Sequence, residues 1–597
     1  MPERMPDPIS RRDWLTAIAA AGAGAVGAPG VSAGPPPAGR PPLEPRPILP
    51  LTSTSDVFTP SHGRAFMRFS FPFPEPSVEF AGYRFGFLVF TRENAYGLDA
   101  SRMTAERTAN GLEIRCTGLV WAGGQQSAPG RVTAQLRQHG DFIEWDITAE
   151  LDQPIKAVTT VIRGVPRGQV SAAGNEPFDP RDNELLYGYP FGAGDLFGGN
   201  TAWGLSTPLV IVQRAAGDCV FLASLDDRVR AKRFFFQPGE QAYRLEAVFE
   251  AEGWKDHTTL QVPTWRLGRT QTLDDAVQAH YDHLERAYHL EPWESRRDAP
   301  DWVRRIALVV TLHGMHYTGY VFNDYARMLE VARWVATRIP PDRVLLFLPA
   351  WDGRYYWDYP LYRASDRLGG EAGLKRLIQE SRRLGFRVMP MFGANAANRR
   401  QPAFARMADA ATHKIDGDGF DLNWVDWDND RHQEGWLSFM NLGVASWREW
   451  LTGRIAEAIE RYGVDAYFLD IAGGWVNNPQ ADMHQGMRQL VLDLRARYPH
   501  VMPCGEMHYD ALLEFIPCYQ VGLGRAARYA RAFSHLSHPA PGFGSSGVHE
   551  SGFSRFRHET LGLAPGTIPT LSVVDDTFTG HQTMMEAVIE RAKAAAP

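Results

Sequence analysis

Cysteine is scarce in this chain: Cys116, Cys219, Cys504 and Cys518 are the only four among 597 residues. They form no Cys-x-x-Cys pair and no Cys/His spacing of the zinc-binding kind, so neither a structural zinc site nor a dense disulfide framework is the source of stability. Cys116 and Cys219 fall in one predicted β region and are compatible with a single bridge, although spacing alone does not fix connectivity. Long apolar runs are also missing. No stretch reaches the ~18 residues that a membrane-spanning helix needs, so the mature chain is expected to have no membrane span. Basic runs are absent as well, and the net charge of −7 with a pI of about 6.2 argues against a nucleic-acid or anionic-membrane partner. No Gly-x-Gly-x-x-Gly or P-loop pattern follows the first strand of the α/β half, which counts against a nucleotide fold. No Gly-x-Ser-x-Gly elbow and no His-Glu-x-x-His helix occur, which counts against a serine esterase and a zincin. Nothing in the sequence calls for a cofactor or a metal.

What the chain does have is apolar and aromatic residues: 44% are hydrophobic, with 17 Trp, 20 Tyr and 32 Phe. Large cores can be built from these, and clustered Trp and Tyr suit stacking on sugar faces. The length fits two to four domains at about 150 residues each, fewer if one is a barrel.

Residues 1–33 are expected to be a twin-arginine export signal. Ser10-Arg11-Arg12-Asp13-Trp14-Leu15 precedes a mildly apolar run and the small-residue site Val31-Ser32-Ala33. The expected location is therefore periplasmic or extracellular. Residues 34–59 form a Pro-rich linker.

Residues 60–270 alternate at period two and predict a β-sandwich. Phe142 to Leu151 is the clearest strand, with Ile143, Trp145, Ile147, Ala149 and Leu151 on one side and a mostly acidic set on the other. Asn110-Gly111, His139-Gly140 and Pro238-Gly239 mark turns between such runs. The region carries no catalytic constellation, so support is the favoured role, with carbohydrate contact as the alternative. Residues 271–300 form a helical linker in which Thr272 caps a Leu273–Tyr288 helix and His280 sits on its apolar face.

Residues 301–597 alternate strand and helix, and predict a (β/α)8 TIM barrel. Strands are expected at 305–312, 343–349, 386–392, 463–470, 501–506 and 567–574, with two more placed near 529–536 and 545–550. Ser446 and Glu449 read as a capping box for the helix that ends at Gly463.

A barrel collects its chemistry at the C-terminal ends of its strands. Gly463-Val464-Asp465-Ala466-Tyr467-Phe468-Leu469-Asp470 and Val501-Met502-Pro503-Cys504-Gly505-Glu506 each end there on an acid. Two carboxyl groups on neighbouring strand ends meet the requirement for retaining glycoside cleavage, with Asp470 as nucleophile and Glu506 as acid/base. Substrate contacts are expected from His313, from Trp351, Asp352, Tyr356 and Trp357 in the second exit loop, from Asn395, and from His508 beside Glu506. Asp426, Asp428 and Asp430 alternate in an acidic loop, but Arg431 stands where a calcium loop needs glycine. A solvated or substrate-contacting loop is the better reading there.

The two strand ends resemble the fourth- and fifth-strand motifs of α-amylase-like barrel glycoside hydrolases, in which a strand-four Asp is the nucleophile and a strand-five Glu the acid/base. A large β-sandwich ahead of the barrel is similar to the arrangement in endo-α-N-acetylgalactosaminidases and related secreted bacterial glycosidases. The resemblance implies a secreted hydrolase of α-linked glycans, with an oligosaccharide, polysaccharide or glycoconjugate as substrate. The chain departs from the amylase pattern at Phe468, where that family has Arg, and in lacking the late Asn-His-Asp triplet, for which Asp575-Asp576 is a weak stand-in. Two alternatives stay open: an α-galactosidase-like enzyme whose acid is a later-strand Asp, and a non-catalytic carbohydrate-binding barrel.

Overall fold

The computed structural model describes residues 51–52, 69–70, 76–190, 203–316, 319–354, 356–413, 436–520, 523–533, 567–575 and 577–594. The expected export signal, nearly all of the linker after it, the acidic loop around Asp426–Asp430, the strand placed at 545–550, and Asp576 lie outside these residues.

Two large, mostly antiparallel sheets, one of eight strands and one of ten, precede the barrel. Strand Phe142–Ile155 buries Ile143, Trp145, Ile147, Ala149 and Leu151, as its alternation predicts. Their partners come from the other sheet. The Phe85 and Trp145 rings meet edge to face at 5.3 Å, as do Phe234 and Trp265 at 5.5 Å. The Trp145 indole N–H donates across the same interface to Thr160 Oγ1 at 3.0 Å, so the ring is buried with its polar atom satisfied. Cys116 and Cys219 are both buried and free, in separate strands of the eight-stranded sheet, so the bridge that their spacing allowed does not form.

Helix α1 (Leu273–Ala287) follows, with the full capping box Thr272/Asp275. The third sheet is parallel and runs almost closed. Its strands are β1 (Leu308–Leu312), β2 (Val344–Leu348), β3 (Arg387–Gly393), β4 (Ala466–Asp470), β5 (Met502–Glu506), β6 (Cys518–Gln520), β7 (Arg531–Phe533) and β8, which is broken by Pro569 into Thr567–Ile568 and Thr570–Val573. The first half of β8 pairs with β7 and the second with β1, so the interruption sits at the seam of the ring.

The helical layer is less complete than a (β/α)8 pattern implies. Helices α2 (Tyr325–Ala336), α3 (Gly370–Leu384), α4 (Ala445–Tyr462) and α5 (Met483–Arg497) follow β1 to β4, but only short 3₁₀ turns follow β5 and β6 among the described residues. Three sequence expectations shift. The run placed at 529–536 is strand seven, because Cys518–Gln520, three residues after a 3₁₀ turn, supplies strand six. The first strand starts at Leu308, since residues 301–305 form a 3₁₀ turn. The Ser446/Glu449 capping box is not made: α4 starts at Ala445, Val444 is its N-cap, and Ser446 Oγ donates to Asp409 instead. Among the described residues no helix is long and apolar enough to cross a membrane.

Rings from three non-adjacent strands fill the barrel interior. Phe468 on β4 lies 4.7 Å from Phe347 on β2 and 6.3 Å from Phe533 on β7, and Phe347 and Phe533 are 5.7 Å apart. Phe468 therefore points inward, and period two sends Asp470 inward as well, one layer nearer the mouth. Removing the Phe468 ring leaves a cavity that fixed strands cannot close. Phe468→Ala is expected to cost about 3–5 kcal/mol, read as a lowered midpoint in urea unfolding.

Candidate active site

Asp470 and Glu506 end neighbouring parallel strands. Leu469 is in register with Gly505, so the two acids are the next pair along, on strands spaced about 4.8 Å apart. Both are buried, each 1% exposed. A direct link joins them: Glu506 Oε2 accepts from the backbone N–H of Ile471, the residue after Asp470, at 3.0 Å. The Glu506 carbonyl in turn accepts from Gly473 N–H at 2.9 Å. A Cβ on Gly473 would come within 2.6 Å of Met507 Cβ, so glycine lets the two exit loops lie back to back.

The residues after both acids hold a left-handed backbone, with φ of 60° at Ile471 and 59° at Met507. For a β-branched residue such as isoleucine this is an outlier costing on the order of 1–3 kcal/mol. It turns the chain sharply and leaves each carboxyl group on the rim. Nothing in the sequence marked these two positions, because neither is Gly or Asn.

The exit loop after β2 lies over the same rim. The Tyr359 ring fills the space beside Gly393, the β3 residue in register with Asp470, where a Cβ would meet the ring at 2.5 Å. The Tyr362 hydroxyl accepts from Gly393 N–H at 2.9 Å. Burial, followed by the nearby Asp470 charge, pushes the Tyr359 phenol well above its ordinary pKa. Burial and the Asp352 charge do the same to Tyr362. Asp352 is itself fully enclosed, and burial, reinforced by Asp358, holds its carboxyl well above the usual range. Its Oδ2 has no hydrogen-bond partner among the described residues. Tyr356 packs edge-on against Tyr359 at 5.5 Å.

Two of the aromatic candidates in that loop differ in setting. Trp351 is enclosed between Phe392 and Tyr462 and donates its indole N–H to Met391 O at 2.9 Å, so it wedges the barrel wall rather than offering a face to a ring. Trp357 leans on Trp436 at 5.1 Å with the Arg354 guanidinium 4.3 Å from its centroid. Asn395 donates to Ile471 O at 2.9 Å and to Gly474 O at 3.3 Å, pinning the turn after Asp470, while its Oδ1 has no partner among the described residues. Trp475, in the loop after β4, is buried, and its indole N–H has no partner among the described residues. Asp352, Asn395 and Trp475 thus hold three buried polar atoms without a hydrogen-bond partner among the described residues. The sequence reading missed Tyr359, Tyr362 and Trp475; their position in strand-exit loops was the available signal.

His313 follows β1, buried and edge-on to Phe322, and burial depresses its imidazole pKa to about 3. His508 is likewise lowered, to about 4, and its ring lies 5.6 Å from Tyr519. At neutral pH both are neutral hydrogen-bonding groups. Asp575, at the end of β8, accepts from the Tyr320 hydroxyl at 2.7 Å. Going round the ring, β8 is four strands from β4, whereas Glu506 is on the adjacent strand.

No protein-family model matches the chain, and no curated protein does. Solved structures share its fold. The ligand-free α-N-acetylgalactosaminidase NagBb of Bifidobacterium bifidum aligns with a TM-score of 0.60 at 10% identity, over 87% of this chain and 94% of that one. The same protein in complex with GalNAc aligns at 0.56 and 12% identity, over 76% and 80% of the two chains. The GH36 α-galactosidase AgaA of Geobacillus stearothermophilus aligns at 0.47 and 10% identity, over 88% and 76%. At these identities the likeness is one of fold. With NagBb it extends over sandwich and barrel together, whereas the α-amylase comparison rests on the two strand ends alone.

The buried imidazoles make stability depend on pH. His484, bonded through Nδ1 to Tyr509 OH at 3.0 Å, has its pKa lowered by burial to about 3. The unfolded chain takes up this proton below about 6.5 and the native chain does not, so the stabilisation is present above pH 6.5 and is lost as pH falls. Between pH 7 and 5 each such histidine is expected to remove about 2 kcal/mol. Urea unfolding of His484→Gln at both pH values should show a smaller acid loss than the parent protein.

Proposed function

We propose that this protein is a retaining glycoside hydrolase acting on an α-linked glycan, with a (β/α)8-type barrel as its catalytic domain. The observation that carries the reading is the pair Asp470 and Glu506, buried and in register on adjacent strand ends, with Glu506 hooked to the amide that follows Asp470. Adjacent strand ends are compatible with the short carboxyl separation of a retaining enzyme, about 5–5.5 Å. Asp470, with the shorter side chain, attacks the anomeric carbon. Glu506 is held by Ile471 N–H at one oxygen, carries the proton for the leaving group on the other, and then activates water. Asp352, Asn395 and Trp475 offer the ring hydroxyls polar partners, and His313, Tyr356, Trp357 and His508 extend the contact surface. The fold likeness to an α-N-acetylgalactosaminidase makes α-N-acetylgalactosaminides the first substrates to test. We further infer export by the twin-arginine pathway from Ser10-Arg11-Arg12, and take 60–270, 271–300 and 301–597 as sandwich, linker and catalytic domain.

The later-strand alternative, with Asp575 or Asp576 as the acid, is less favoured for Asp575, which follows a strand four away from β4 and accepts from Tyr320, while Asp576 lies outside the described residues. The test is hydrolysis of aryl α-glycosides by the parent protein, Asp470→Asn and Glu506→Gln. Asp470→Asn is expected to lose at least about 1,000-fold in kcat, and Glu506→Gln about 100- to 10,000-fold on a poor leaving group. Azide should restore turnover of an activated substrate to Glu506→Ala. Full activity in both variants would overturn the assignment.

A further inference from the structure

The chain leaves Glu506 through Met507, and the left-handed backbone there persists only if the β5 exit loop is held firmly beyond it. That hold comes from the other domain. Asp510, four residues after Glu506, is buried and donates its backbone N–H to Ser206 O at 2.7 Å. Its carboxylate accepts from Tyr189 OH at 2.5 Å and Thr207 Oγ1 at 2.8 Å, and from its neighbour Ala511 N–H at 2.8 Å. Tyr189, Ser206 and Thr207 all belong to the sandwich region. Thr207 has a single hydroxyl proton, and it goes to Asp510. The 2.7 Å contact between Thr207 Oγ1 and His280 Nε2 is therefore a donation from the imidazole, which makes His280 on α1 the Nε2–H tautomer at the start of a relay into Asp510. A second tie runs parallel to the first. Asn477, in the loop after β4, donates to Glu250 Oε2 and Ala251 O and accepts from Gly253 N–H at 2.8 Å, all in the sandwich region. The loops behind both acids are thus clamped from the same side.

We propose that Asp510 is a positioning residue through which the sandwich aims the Glu506 carboxyl at the leaving-group oxygen. The inference rests on the reading of Glu506 as acid/base. It makes the sandwich a working part of the catalytic apparatus, since the hydroxyls of Tyr189 and Thr207 set the β5 exit loop and that loop sets Glu506. A misaimed acid fails where proton donation matters most, on leaving groups of high pKa, and matters little for a group that departs unaided.

The experiment is a leaving-group series of aryl and alkyl α-glycosides, assayed with the full chain as parent protein, Asp510→Asn, Thr207→Val, Thr207→Ser and Glu506→Gln. Asp510→Asn and Thr207→Val are expected to lose about 10-fold or more in kcat/KM on an alkyl glycoside and under about 3-fold on a dinitrophenyl glycoside, with Thr207→Ser close to the parent. Loss of equal size across the series, or none, in a folded variant would overturn the proposal. If Asp510→Asn does not fold, Tyr189→Phe, which removes one hydroxyl, takes its place beside Thr207→Val under the same criteria. Glu506→Gln separates the two readings. If its loss is independent of the leaving group, the acid/base assignment itself fails; if it is steeply dependent while the Asp510, Tyr189 and Thr207 variants are flat, only the positioning role fails.

Discussion

The register between β4 and β5 is the constraint on which the rest of the site depends. Parallel strands fix which residues stand side by side, and a slip of one residue turns every side chain to the opposite face. Leu469 against Gly505 brings Asp470 beside Glu506, and the bond from Ile471 N–H to Glu506 Oε2 locks that register at the rim. One bond of this kind contributes about 1.5–3 kcal/mol when its acceptor is a buried carboxylate, far less than the barrel beneath it. Its effect is geometric: two groups that repel when both are charged are kept at working distance by a backbone amide that belongs to neither.

The layer below explains the departure from the amylase pattern. Phe468 stands where those enzymes have Arg, and in this barrel its ring meets Phe347 and Phe533 across the interior. The site floor here is apolar. A guanidinium at that position would be desolvated among phenyl rings at a large cost, and the polar groups placed near the pair, Tyr359, Tyr362 and Asn395, belong to the β2 and β3 exit loops rather than to the floor.

Much of this was legible in the sequence for plain physical reasons. Period-two alternation marked Phe142–Leu151 within the strand Phe142–Ile155, and apolar runs ending on an acid marked β4 and β5, because these patterns are set by burial alone. Strand six was not legible. Cys518–Gln520 is three residues long with no flanking helix, too short for a period to register. The capping box failed for a different reason: Ser446 and Glu449 have the right spacing, but α4 starts two residues earlier, with Val444 as its N-cap, and Asp409 takes the serine hydroxyl. Tertiary contact overrode the local pattern. At the site, the acids were visible as strand ends, while the strained turns at Ile471 and Met507 were not, since tertiary packing imposes them on residues that do not favour them.

The sandwich is where sequence and structure lead to different emphases. Its strands carry no catalytic pattern, and support was the natural reading. Support, however, has a direction. A domain that only shielded the barrel would touch its outer helices; this one places Tyr189, Thr207 and, through α1, His280 around a carboxylate four residues from Glu506, and receives Asn477 from the loop behind Asp470. A buried carboxylate is costly, and Asp510, pushed by burial to about pKa 6, is fully ionised only above that pH. Burying an acid at a domain boundary weakens the fold unless its hydrogen bonds are all met, and here Tyr189, Thr207 and Ala511 meet them. A purely apolar contact would hold the two domains together as well and would tolerate sliding. Directional bonds to a charge do not, so the boundary holds a fixed angle between sandwich and β5 loop, which is what the acid role proposed for Glu506 requires.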